Sequence, residues 1–188
     1  MPESGDRVRI DLDGTPWRVV PALAVVRAQL RAGVELDRER ALALHKALRA
    51  TDADTRAARA LSRRDRTRAS LDQLLERRGV READRDGALE RLTEAGALND
   101  ERYALNRAVG MARRGYGDLA IRYDLEQAGT PADAIESALD ALEPERERLA
   151  ALIGTAPTLR DLRRFASKGF DGATLEDLAS ALGFDEAA

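Results

Sequence analysis

The sequence predicts a mainly α-helical protein built from tandem three-helix bundles in an elongated array, led by a short β-hairpin with helices of its own. Three observations carry this expectation. The 188 residues include 35 Ala, 26 Leu and 29 Arg against 8 Val and 4 Ile. Ala, Leu and Arg lose little on entering a helix, whereas β-branched residues lose side-chain freedom there. Six of the eight valines lie in the first 34 residues, so β structure belongs at that end. Glycines 79, 129 and 169 each follow an amphipathic segment, 50 and then 40 residues apart, which indicates an internal repeat.

Taken in order, Arg7–Leu12 alternates polar and apolar residues, Asp13-Gly14 supplies a tight turn, and Trp17–Val20 offers a second strand. A two-stranded hairpin is marginal alone and should pack on a helix starting near Pro21, with Trp17 in its core. That helix is expected over Ala22–Ala32, ending at Gly33. A second starts after Asp37, as N-cap, and runs to about Ala50. From residue 51 helix follows helix. Leu75, Leu125 and Phe165 stand four residues before the repeat glycines; Leu92, Leu142 and Leu182 stand thirteen after. Leu89, Leu139 and Ala179 stand ten after. Each repeat reads as three helices with a glycine-capped break between the second and third. Thr67, Thr130 before Pro131, Thr158 and Thr174 are the expected caps. The division expected is 1–50 for hairpin and helices, then repeats at 51–98, 99–142 and 143–188.

Composition excludes several chemistries. Cysteine is absent, so disulfides, thiolate catalysis and Cys-ligated metals are ruled out. One histidine, His45, reads as a surface residue of a helix and leaves little for acid–base work near neutral pH. Arg114-Gly115-Tyr116-Gly117 has neither the lysine nor the preceding strand of a phosphate loop. No catalytic residue, metal or cofactor is expected. No apolar run reaches the length of a membrane span, and the first residues lack a signal peptide's hydrophobic core, so a soluble cytoplasmic protein is expected.

The formal charge of −3 conceals an uneven distribution. Arg56–Arg81 holds nine Arg against Asp65, Asp72 and Glu76, a local net of +6, whereas Asp171–Ala188 has five acids and no base. Arg63, Arg64, Arg66 and Arg68 span a helix end and its turn, where guanidinium forks can grip phosphate or carboxylate. Arg77 and Arg78 extend that basic region. Arg113, Arg114 and Arg122 add a weaker patch in the next repeat. Tyr116, between two glycines, is the aromatic best placed for exposure and stacking. These ten residues are the candidate binding set.

Several segments in series resemble the RecX family, bacterial regulators of the RecA recombinase. They are Leu12-Asp13-Gly14, Ala60–Leu71, Leu75–Val80, Leu89–Leu92, Glu94–Ala104 and Arg114–Gly117, then Arg164-Phe165 and Lys168–Phe170. Asp118-Leu119-Ala120 departs from a pattern that often has Pro and basic residues there, which moves the weight to the first repeat. The resemblance implies a non-enzymatic, all-helical modulator that lodges in the groove of the RecA–DNA filament. It would restrain ATP hydrolysis, strand exchange and repressor cleavage, act as a monomer and need no cofactor. The alternative reading is a repeat protein that binds single- or double-stranded DNA directly through its basic first repeat.

Overall fold

The computed structural model describes residues 6–153 and 158–181, which form a two-stranded antiparallel sheet and ten helices. Leu182 and the end of the acidic stretch Asp171–Ala188, with Asp185 and Glu186, lie outside the described residues. Two compact units divide the chain: one runs to Arg64 and includes Leu71–Leu98, the other joins Asp65–Ser70 to the residues from Asn99 onward.

The first unit opens with β1 (Arg7–Leu12) and β2 (Thr15–Pro21). Asp13 and Gly14 both take positive φ, 51° and 78°, as a right-twisted two-residue hairpin turn demands. The register passes from Ile10 opposite Arg18 to Asp11 opposite Pro16, so Trp17 is the extra residue of a bulge. Trp17 does not fill the hairpin core as expected; it is 46 % exposed, and the residue turned inward is Val20. With Val20 inward, alternation puts Val19 on the outer side, half exposed.

Two helix ends also differ from expectation. The first helix, α1 (Ala22–Arg27), stops well short of Gly33. Gln29 takes φ 53° while its N–H bonds the Val26 carbonyl, and Leu30 bonds that of Val25 at 3.1 Å. This is a left-handed helix end made without glycine. The next helix, α2 (Arg38–Leu61), is capped by Asp37, whose carboxylate accepts from the Arg40 N–H at 2.8 Å. It runs unbroken through Ala50, because no Gly or Pro between 38 and 61 stops it. Leu44 and Ala47 are buried near its start, whereas Ala53, Ala57 and Ala60 enter a core with α3 (Arg68–Arg77) and α4 (Glu82–Glu94). Leu71, Leu75, Ala88, Leu89 and Leu98 complete that core.

In the second unit α5 (Asp100–Ala112), α6 (Asp118–Gln127) and α7 (Ala132–Asp140) enclose Ala104, Ala108, Met111, Ile121, Leu125 and Ile135. A smaller core of Leu149, Phe165 and Phe170 serves α8 (Glu145–Leu152), α9 (Leu159–Ser167) and α10 (Gly172–Ala181). Its two phenylalanine rings meet edge to face, 5.5 Å between centroids.

The repeat glycines all end helices in one way. Gly79, Gly129 and Gly169 take φ of 74°, 72° and 77°, and the N–H that follows each bonds the carbonyl of Leu75, Leu125 or Phe165. The apolar residue four positions upstream is therefore both core and hydrogen-bond acceptor of the turn. Thr67 and Thr158 cap as expected, Thr158 in a capping box with Asp161. Thr130 does not: its hydroxyl is buried with no hydrogen-bond partner among the described residues, and Pro131 takes the N-cap position before Ala132. Thr174 lies inside α10, where the Asp171 carboxylate accepts from the Ala173 N–H at 3.1 Å.

Within the second unit, backbone meets backbone where α6 begins. The Gly117 N–H donates to the Lys168 carbonyl at 3.0 Å and that of Leu119 to the Gly169 carbonyl at 3.1 Å. Glu145 bridges the N–H groups of Asp118 and Asp171, at 2.6 and 3.0 Å. Arg148, 9 % exposed, donates to the carbonyls of Glu143 and Tyr116, at 2.9 and 3.2 Å, and pairs with Asp118.

Candidate binding surface

The structure sorts the arginines into those paired within the fold and those that stand exposed. In the first unit Arg27 and Arg91 clasp Asp54 at 2.7 and 2.6 Å, Arg49 pairs with Asp84, and Arg85 with Asp72. The Asp72 carboxylate holds Arg85 above the usual arginine range. Their distance in sequence hid these pairs.

Arg63, Arg64, Arg77 and Arg78 are exposed, and their side chains hold no ion pair or hydrogen bond among the described residues. Sequence proximity made one cluster of them; the fold makes two. Arg63 and Arg64 follow the end of α2, whereas Arg77 and Arg78 lie at the far end of α3, whose ten residues rise about 15 Å. Arg66 and Arg68 belong to the second unit, Arg66 half-buried and Arg68 giving its N–H to Asp100 at 2.8 Å.

Arg113 and Arg114 are exposed just past α5. Arg122 is committed to Glu136, with one of its bonds at 2.8 Å. Tyr116 is not the exposed turn aromatic expected. The left-handed Gly115, φ 75°, turns the chain back, the Tyr116 N–H bonds the Met111 carbonyl, and the ring packs on the α5–α7 core. Lys168 Nζ sits 5.4 Å from the ring centroid. His45 is exposed, as read from the sequence.

Arg107 binds Asp124 through two 2.7 Å bonds, and this fork, more than the added charge of Arg107 and Arg114, holds Asp124 below the usual carboxylate range. Arg122 does the same to Glu136, and the Thr158 hydroxyl and N–H to Asp161. A carboxylate whose folded pKa is depressed stabilises the fold above its unfolded value and ceases to as pH falls through the folded one. The urea midpoint of the second unit should therefore hold from pH 7 to about pH 5 and fall progressively below about pH 4. In Asp124→Asn the midpoint should start lower at pH 7 and fall less, which urea titrations at stepped pH would show.

Among the described residues no group of three or more His, Asp or Glu is placed to hold a metal ion, and no helix is long and apolar enough to cross a membrane. Comparison with known proteins gives this surface its context. Residues 99–139 match the family described as RecX, second three-helix domain. A regulatory protein RecX from Stenotrophomonas maltophilia K279a is 34 % identical over 131 residues, covering 66 % of this chain and 75 % of the relative. Its counterpart from Ectopseudomonas mendocina is 40 % identical over 79 residues, covering 42 % and 53 %. Among solved structures, a regulatory protein RecX superposes with TM-score 0.79 at 24 % identity, covering 93 % of each chain. RecX from Lactobacillus salivarius superposes with TM-score 0.63 at 19 % identity, over 72 % of this chain and 97 % of the other. The sequence similarity, which spans three quarters of the Stenotrophomonas relative, together with the shared fold establishes that the chain belongs to the RecX family of regulatory proteins.

Proposed function

We propose that this protein is a non-enzymatic modulator of the RecA recombinase that binds in the groove of the RecA–DNA filament and restrains ATP hydrolysis, strand exchange and coprotease activity. The observation that carries this reading is membership of the RecX family. Arg63, Arg64, Arg77 and Arg78 support it, since they are exposed, hold no side-chain partner among the described residues and can meet phosphate or acidic protein surface. Arg66, Arg68, Arg113, Arg114, Arg122 and Tyr116 are proposed as secondary contacts. Bundles in series can engage several protomers at once, so modest contacts gain through multivalency. The protein works as a cytoplasmic monomer and needs no cofactor. Addition of substoichiometric protein should slow RecA-dependent ATP hydrolysis on single-stranded DNA; no effect at saturation overturns the reading.

Direct binding to DNA is the second reading, favoured by Arg63 and Arg64 standing together with no side-chain partner among the described residues. Binding to DNA alone should weaken steeply with salt, because each neutralised phosphate releases counterions. Arg63→Glu/Arg64→Glu should weaken DNA binding about tenfold or more, since each lost phosphate contact is replaced by repulsion. If inhibition of ATP hydrolysis survives in that variant while DNA binding is lost, the filament protein, not DNA, is the main target.

A further inference from the structure

The three repeat glycines share a conformation but not their surroundings. A Cβ on Gly129 would lie 2.7 Å from the Cβ of Ala69, and one on Gly169 would lie 2.5 Å from the backbone N of Ala120. Each of these turns is thus covered by the first turn of another helix, α3 in one case and α6 in the other. At Gly79 nothing among the described residues lies within 4 Å of the same point.

The two covered turns share three parts. Turn carbonyls accept from the incoming helix start: Ala128 from the Thr67 hydroxyl at 2.5 Å, Lys168 and Gly169 from the N–H groups of Gly117 and Leu119. A carboxylate on the first residue of the bundle's leading helix takes the first helical N–H. Asp100 accepts it from Arg68 at 2.8 Å, and Glu145 from Asp118 at 2.6 Å. The incoming helix presents a small residue, Ala69 or Ala120, against the glycine. Helix starts have spare N–H groups and helix ends spare carbonyls, so each supplies what the other lacks.

The Gly79 turn has a carbonyl and a carboxylate side by side but no helix start upon them; the carboxylate, Asp52, lies within α2 and not on its first residue. Asp52 of α2 lines a hollow of about 150 Å³ with Arg78, Gly79, Val80 and Arg81. Its carboxylate and the Arg78 carbonyl are both held by Arg56, at 2.7 and 3.3 Å. The guanidinium occupies a carbonyl and a carboxylate of the kind that meet a helix start at the other two turns, where the donors are the Thr67 hydroxyl and backbone N–H groups. It is 41 % exposed, and an ion pair so exposed is weak enough to be displaced.

We infer that the Gly79 turn is a docking site for the first turn of a helix on a partner protein, with a small residue at its second or third position and an acidic side chain beside it. The acid follows from Arg77, Arg78 and Arg81, which are exposed and hold no side-chain partner among the described residues. Acidic residues also suit a helix start.

The test is an amide-shift titration of the isotope-labelled full chain with an acetylated, lactam-stapled helical peptide that begins Thr-Asp-Ala-Ala. Shifts should concentrate at Asp52 and residues 78–82 and be absent at the Gly129 and Gly169 turns, whose places are filled. Arg78→Glu/Arg81→Glu should weaken the fitted affinity at least tenfold, as should Asp52→Asn or a peptide that begins Thr-Lys. Unchanged far-ultraviolet circular dichroism would show that the variants remain folded. No saturable shift at Gly79 at millimolar peptide, equal shifts at all three turns, or full binding by the double variant would each overturn the inference.

Discussion

Gly117→Ala is expected to destabilise the second unit by about 2–3 kcal/mol, the cost of forcing a methyl into a packed site. The backbone conformation is not the obstacle, since Gly117 has φ −84° and ψ 172°, which alanine adopts freely. The obstacle is space: a Cβ there would lie 2.3 Å from the Gly169 carbonyl oxygen and 2.3 Å from the Phe170 nitrogen. Neither is a flexible side-chain tip, so α6 must move away from the turn after α9. The bonds from Gly117 to Lys168 and from Leu119 to Gly169 then lengthen or break. Gly172→Ala is the control, with open space around it, ordinary φ and a place in the first turn of α10; it should be neutral or slightly stabilising. The single Trp, Trp17, lies in the first unit, and all three Tyr lie in the second. Urea unfolding followed by tyrosine signals should show the loss, whereas the Trp17 transition should stay in place. An unchanged tyrosine transition would mean that the close backbone approach contributes nothing.

What was legible in the sequence is what local chemistry dictates. Gly79, Gly129 and Gly169 could be read because a helix end with positive φ selects glycine, and their partners Leu75, Leu125 and Phe165 because the same turn needs an apolar residue at that offset. Asp37, Thr67 and Thr158 were legible as caps for the same local reason. Gln29 was not, since it occupies a conformation that its residue type does not announce. The continuity of α2 was obscured by a change of partners: the helix serves α1 and β2 as well as the core it shares with α4. The binding surface was harder still. Basic residues announce a charge but not its pairing, and Arg91 finds Asp54 across 37 residues of chain while the Arg63 side chain finds no partner among the described residues. The local net of +6 was therefore sound as arithmetic and misleading as geometry, because α3 carries Arg77 and Arg78 away from Arg63 and Arg64.

Arg148 is not among the residues that the sequence singles out, yet Arg148→Ala is expected to cost about 3 kcal/mol. Its guanidinium serves three acceptors at once: the Glu143 and Tyr116 carbonyls and the Asp118 carboxylate. Truncation leaves two carbonyls without this donor and Asp118, 35 % exposed on its side chain, without its cation. Water reaches Asp118, so the loss falls at the lower end of what a fully buried broken pair costs. Arg148→Lys should recover less than half, because an ammonium is one point charge and cannot span three acceptors held by a planar fork. A double-mutant cycle with Asp118→Asn separates the ion pair from the carbonyl contacts. If the ion pair carries the effect, the two substitutions together should cost little more than Arg148→Ala alone, a coupling of about 1–2 kcal/mol. If the carbonyls carry it, the costs should add. The geometry favours a split, with the larger share on the carbonyls: two of the three contacts end there, and the Asp118 N–H keeps its bond to Glu145 whichever side chain is changed. A cycle that assigned the whole cost to Asp118 would show that Arg148 acts as a counter-ion and not as the donor that fixes the Arg-Gly-Tyr-Gly turn against α8.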